Sequence, residues 1–130
     1  MPKHVHPTPF IIQPPADLVT QKPELRHLAS QLAQMYADGV VVGDEHLRIV
    51  GGALWSALDA EEKFEAAVTA AGMDVLPVVI ESDAPDVQVL PWETLFHPQH
   101  GFLGKNPVFT LSRQLANRGE ESRPLEKGPL

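Results

Sequence analysis

The sequence predicts an α/β fold in which two or three helices pack on a small mixed or antiparallel sheet. Three observations lead there. Apolar residues recur at spacings of three and four over residues 25–36 and again over 47–71, as one face of an amphipathic helix requires. Residues 74–82 are rich in β-branched side chains and bounded by Gly72 and Asp83, the composition of a strand between turns. Residues 108–113 alternate Val108, Thr110 and Ser112 with Phe109, Leu111 and Arg113, which gives a strand two unlike faces.

The elements follow in order. Residues 1–24 carry six prolines, which fix φ, remove backbone donors and push each preceding residue toward extended backbone, so helix is excluded there. The alternation ending in Phe10, Ile11 and Ile12 leaves two readings, an edge strand or an unstructured leader. From Pro23 the pattern becomes helical: Leu25, Leu28, Leu32, Met35 and Tyr36 form a stripe, Pro23 suits a first turn and Gly39 follows the end. Asp44 is expected to cap the next helix, whose inward positions are Leu47, Val50, Leu54 and Leu58. Two adjacent glycines inside it, Gly51 and Gly52, each cost about 1 kcal/mol relative to alanine, which points to close approach of another backbone. After a break near Asp59 or Ala60, a further helix turns Phe64, Ala67, Val68 and Ala71 inward and stops at Gly72.

The strand at 74–82 contains Pro77, which donates no ladder bond; it is therefore an edge strand or has Pro77 facing away from its neighbour. Residues 82–95 read as a turn and a short helical segment, with Pro91 in a first turn. Residues 101–106 and 107–113 then read as a hairpin turning at Lys105, Asn106 and Pro107. The organisation expected is a Pro-rich leader or edge arm at 1–24, a folded body at 25–114 and a polar linker or tail at 115–130.

Composition narrows the function classes. Seventeen acidic against ten basic residues give a net charge of −7, which repels phosphate backbones and anionic membranes, so neither nucleic acid nor membrane is expected as a partner. There is no apolar run of the ~20 residues a bilayer span needs, and the first residues lack a secretory signal's apolar core. A cytoplasmic protein is expected. With no cysteine in the sequence there is no disulfide, thiolate metal site or thiol nucleophile.

The order helix, strand, Pro91-Trp92-Glu93-Thr94-Leu95, then Gly101-Phe102-Leu103 and Phe109-Thr110-Leu111-Ser112-Arg113, resembles the front part of the CHAT domain, a caspase-like family often found with TPR repeats. The helix containing Gly51, Leu54, Trp55, Ala57 and Leu58 is similar to that family's G-x-x-L-W-x-A-L segment, and the likeness covers residues 45–114. It implies the front subregion of a caspase-like α/β sandwich whose His–Cys dyad, a cysteine peptidase centre, lies on loops after later strands. A histidine nitrogen there takes the thiol proton and the thiolate attacks the scissile carbonyl. No catalytic residue carries over onto this chain, which is expected to be a non-catalytic N-terminal portion of a bacterial peptidase; the alternative is a free-standing protein-interaction module without enzymatic activity. The residues that carry the likeness are structural: Trp55, Pro91, Trp92, Glu93, Leu95, Gly101, Phe102, Leu103 and Arg113. The implied partners are the remainder of a peptidase domain, a partner protein or a second copy of the chain.

Trp92, beside proline, is expected to anchor a turn in the core, and Glu93 to accept from backbone donors nearby or to pair with Arg113. His97 and His100 have the i, i+3 spacing that can bring two imidazoles to one metal ion, but no third or fourth ligand follows in sequence and Pro98 favours a loop, so no metal or other cofactor is expected. His4 and His6 would share one side of a strand; a solvated leader is the simpler reading. His27 and His46 are expected on helix surfaces. Ser56, His100 and Asp86 supply the residue types of a hydrolytic triad, but without a G-x-S-x-G turn, and no phosphate-binding loop of the G-x-x-x-x-G-K-[ST] form is present.

Overall fold

The computed structural model of this protein describes residues 8–115. In chain order its elements are β1 (Phe10–Ile12), α1 (Leu18–Gln21), α2 (Pro23–Ala37), α3 (Asp44–Leu58), α4 (Glu61–Ala71), β2 (Leu76–Glu81), α5 (Pro85–Gln88), β3 (Phe96–His97), β4 (Gly101–Phe102) and β5 (Phe109–Gln114). The fold class is the expected α/β. Strands β1, β2 and β5 form a parallel sheet in the order β1-β2-β5, and β3 and β4 form a separate antiparallel ribbon.

Of the two readings of the arm, residues 10–12 take the strand: Phe10 lies opposite Val78 and Ile12 opposite Ile80 at the edge of the sheet. The exclusion of helix from 1–24 is corrected, because residues 16–22 contain no proline and admit one turn, α1, which buries Leu18 and Val19. His4 and His6 lie outside the described residues, as does the expected tail beyond Leu115.

The helices fall where their periodicity places them. α2 begins at Pro23 and buries Leu25 and Leu32, but Tyr36 is exposed, so its stripe is narrower than its apolar spacing suggests. α3 is capped by Gly43, with Asp44 the first helical residue and no side-chain capping bond; the acidic pair Asp44 and Glu45 instead meets the positive end of the helix dipole. Asp59 ends α3 in the left-handed conformation, and α4 buries Phe64 completely before stopping at Gly72, with φ of 61°. His27 is exposed as expected; His46 is partly buried, which the sequence did not indicate.

One strand expectation is decided between its two alternatives, and one is corrected. β2 is the central strand rather than an edge. Leu76 donates to Val108 O, so by alternation the Pro77 nitrogen faces the β1 side, and β1 pairing begins only opposite Val78. The missing N–H thus falls beyond the end of its neighbour and breaks no ladder bond. The 102–113 hairpin does not form: β4 folds back on β3, residues 103–105 make a 3-10 turn, and β5 crosses to pair in parallel with β2, Leu76 opposite Phe109 and Glu81 opposite Gln114. A hairpin would have left Leu76, Val78 and Ile80, all buried now, without the flanking strand that covers them.

Among the described residues, all core packing lies on one face of the sheet. Ile12, Leu76, Val78, Ile80 and Phe109 join Val50, Leu54, Trp55, Phe64, Val87, Leu90, Trp92, Leu95 and Leu103 in one cluster. The other face presents Ile11, Val79 and Ser112 in one row and Pro77 and Thr110 in the next; Ile11 and Val79 do not belong to the core cluster. Among the described residues no helix is long and apolar enough to cross a membrane.

Candidate functional site

The expected signature residues other than Trp55 build one anchored corner. Pro91 leads into a 3-10 turn at Trp92–Thr94, whose Leu95 N–H closes on Trp92 O. Trp92 is 1 % exposed, and its indole N–H donates to Val87 O at 2.8 Å. The large ring therefore ties the turn to the end of α5 while satisfying its one polar atom. Glu93 Oε1 accepts from Arg113 Nη2 at 2.6 Å, the pairing expected, and Arg113 Nη1 also donates to the carbonyl of Gln88. Leu95 and Leu103 are fully buried and joined by the Leu103 N–H to Leu95 O bond at 3.1 Å. Gly101, with φ of 74°, takes the tight conformation that lets Phe102 return opposite Phe96.

Gly51 explains the approach of α3 to this corner. A Cβ built there would stand 1.7 Å from Thr94 O and 2.9 Å from Phe96 N, so only glycine lets the helix lie against that backbone. Gly52 meets nothing within 4 Å, and close approach explains one glycine of the pair and not the other.

A second constellation surrounds Phe64. Its ring packs with those of Trp55, His97, Phe109, Phe10 and His100 at centroid distances of 4.9 to 5.7 Å. His97 is 1 % exposed. Its Nε2 lies 2.8 Å from Glu61 Oε1 and 3.3 Å from Glu65 Oε2, and His100 Nε2 lies 3.6 Å from the same Glu65 oxygen. Neither imidazole meets its carboxylate in line. The two carboxylate side chains are 52 % and 40 % exposed, so these contacts lie at the edge of the core. Glu61 also accepts from Trp55 Nε1 at 3.1 Å. Partial burial pushes the Glu61 carboxyl upward, but the Trp55 indole N–H and the neighbouring His97 outweigh it and hold the group below its ordinary 4.5.

Sequence spacing offered only the two histidines; the carboxylates come from α4, thirty-odd residues earlier, and the available signal was the i, i+4 placement of Glu61 and Glu65 on one helix face. Glu65, His97 and His100 bring one ligand atom each within 4.8 Å of one another, which meets the spacing of a metal site. The hydrogen bonding of His97 does not fit one. Its Nδ1 accepts the backbone N–H groups of Gln99 at 2.9 Å and His100 at 3.2 Å, which places the ring proton on Nε2, the atom that would have to bind the ion. A metal-ligating imidazole has the reverse arrangement, with its other nitrogen donating to an acceptor. The cluster thus sets two imidazoles beside two carboxylates, and it ties α4 to the β3–β4 ribbon.

Ser56, His100 and Asp86 are not brought together: Asp86 lines a shallow groove with Val19, Arg26 and Leu90, whereas His100 packs on Phe64 and Phe109. Comparison with protein-family models, with curated proteins and with solved structures finds no match to this chain.

Proposed function

We propose that this chain is the non-catalytic front of a CHAT-type, caspase-like cysteine peptidase domain working in the bacterial cytoplasm, a support for a His–Cys dyad carried by further chain. The observation that carries the reading is the half-clad parallel sheet. Parallel sheets occur almost only with both faces covered, yet among the described residues every packed helix lies on one face while Ile11, 47 % exposed, stands on the other. The outer edge of β5 is likewise unpaired among the described residues, a template for one more strand. The corner built on Trp92, Glu93 and Arg113 fixes β5 and α5 relative to each other, and so fixes the edge that such a strand would join. In this reading the signature residues shape a scaffold and touch no substrate.

The test is the coding sequence downstream of the Leu130 codon. An open frame encoding an apolar strand and then a His-Gly and a cysteine is expected, and the joined product should cleave peptides in a way that replacing that cysteine with alanine abolishes. A stop codon with nothing similar behind it sinks the peptidase reading and leaves the free-standing interaction module.

A further inference from the structure

The face of the sheet that no described helix covers carries a specific polar feature. Its ladder rows contain Ile11, Val79 and Ser112, then Pro77 and Thr110, then Glu81 and Gln114, so that Glu81 on the central strand is the single charged side chain among them. Its carboxylate is held from both sides: Gln13 Nε2 donates to Oε1 at 2.7 Å and Gln114 Nε2 donates to Oε2 at 3.0 Å. Two neutral amides, one from each flanking strand, orient the carboxylate without neutralising it. An ionised carboxylate offers about four acceptor positions, so two remain for a donor arriving from above the sheet. The apolar rows alone would accept any greasy cover. Covering Glu81 without a cation would bury an uncompensated charge, at a cost that excludes most covers.

We propose that this face is clad by an amphipathic α-helix whose apolar stripe lies over Ile11, Pro77 and Val79 and whose one buried-side cation, an arginine or lysine, pairs with Glu81. The proposal deepens the reading of the chain as part of a larger α/β domain by naming the element that completes it. The size fits: β2 has six residues and spans ~20 Å, which a helix of about 13 residues matches at 1.5 Å per residue. The sign also fits the whole chain, whose net charge of −7 disfavours an acidic partner or a second copy on this face.

The experiment titrates the full 130-residue chain, followed by amide NMR shifts, with two synthetic helical peptides. They share one apolar stripe and differ at one stripe-end position, arginine in the first and glutamate in the second. The arginine peptide is expected to shift the amides of Ile11, Val79, Thr110 and Ser112 and to bind ~10-fold more tightly than the glutamate peptide. Glu81→Gln, which preserves shape and removes the charge, should erase that preference, and Glu81→Arg should invert it. Equal binding of the two peptides, a preference that survives Glu81→Gln, or shifts confined to other surfaces would each overturn the proposal. Its failure is separable from failure of the peptidase reading, which turns on the downstream coding sequence and not on peptide binding.

Discussion

A single hydrogen atom at position 51 sets how closely α3 approaches the backbone at Thr94. Gly51→Ala has to move either the helix or the 3-10 turn, and such overpacking costs about 1–3 kcal/mol. Gly52→Ala meets no neighbour and gains helix propensity, so it should stabilise by about 0.5–1 kcal/mol. Urea midpoints of the two variants should therefore move in opposite directions; a shift of the same sign in both removes the close-approach argument. His97 allows a comparable separation of roles. His97→Asn keeps an acceptor for the Gln99 N–H but loses reach to Glu61, whereas His97→Leu fills volume and strands both backbone donors. The asparagine variant should retain more stability in the same urea assay, and the opposite order would show that ring volume rather than the Nδ1 acceptor matters there. Because that acceptor holds the proton on Nε2, stoichiometric Zn²⁺ should leave the thermal midpoint of the native chain unchanged; a rise proportional to added Zn²⁺ would mean that the turn at 97–100 yields to the ion.

At the scale of elements, α4 is held to the β3–β4 ribbon by groups that titrate. The folded state keeps the Glu61 carboxyl below its ordinary 4.5, so the carboxylate form is favoured on folding. Stability from this source is fully present above the unfolded value and is lost as pH falls through the lower folded one. Glu61→Gln should flatten the dependence of the urea midpoint on pH in that acid window and leave the slope above it unaltered; an unchanged acid slope would assign it to other carboxylates. The helices were legible in the sequence because their signals are local: Pro23, Gly39, Gly72 and the three-four spacing of Leu47, Val50 and Leu54 all act within a few residues. Strand pairing was not. The run at 107–113 reads equally well as half of a hairpin or as a parallel partner of β2, and the choice is made by which arrangement buries Leu76, Val78 and Ile80. The corner was legible to the level of pairing, since Glu93 and Arg113 do meet. The cluster around Phe64 was legible only in its histidines, because its carboxylates are distant in sequence and close only after α4 docks.

At the scale of the molecule, the arm decides where the cooperative unit begins. Composition sets residues 1–24 apart, yet β1 supplies Ile12 to the core and Phe10 to the ring cluster, 5.6 Å from Phe64. Removing the arm would also strip β2 of one neighbour and leave both long edges of a two-stranded parallel pair open, an arrangement too small for independent stability. α1 adds a further tie through Leu18 and Val19, which are buried and linked in sequence to α2 by a single residue, Lys22. A chain beginning at Leu25, the boundary that composition suggests, should therefore lose its cooperative urea transition. If the chain from Leu25 melts with the same midpoint and slope as the whole, β1 and α1 are ornaments on a body that folds without them, and the three-stranded sheet is not the unit that the core requires.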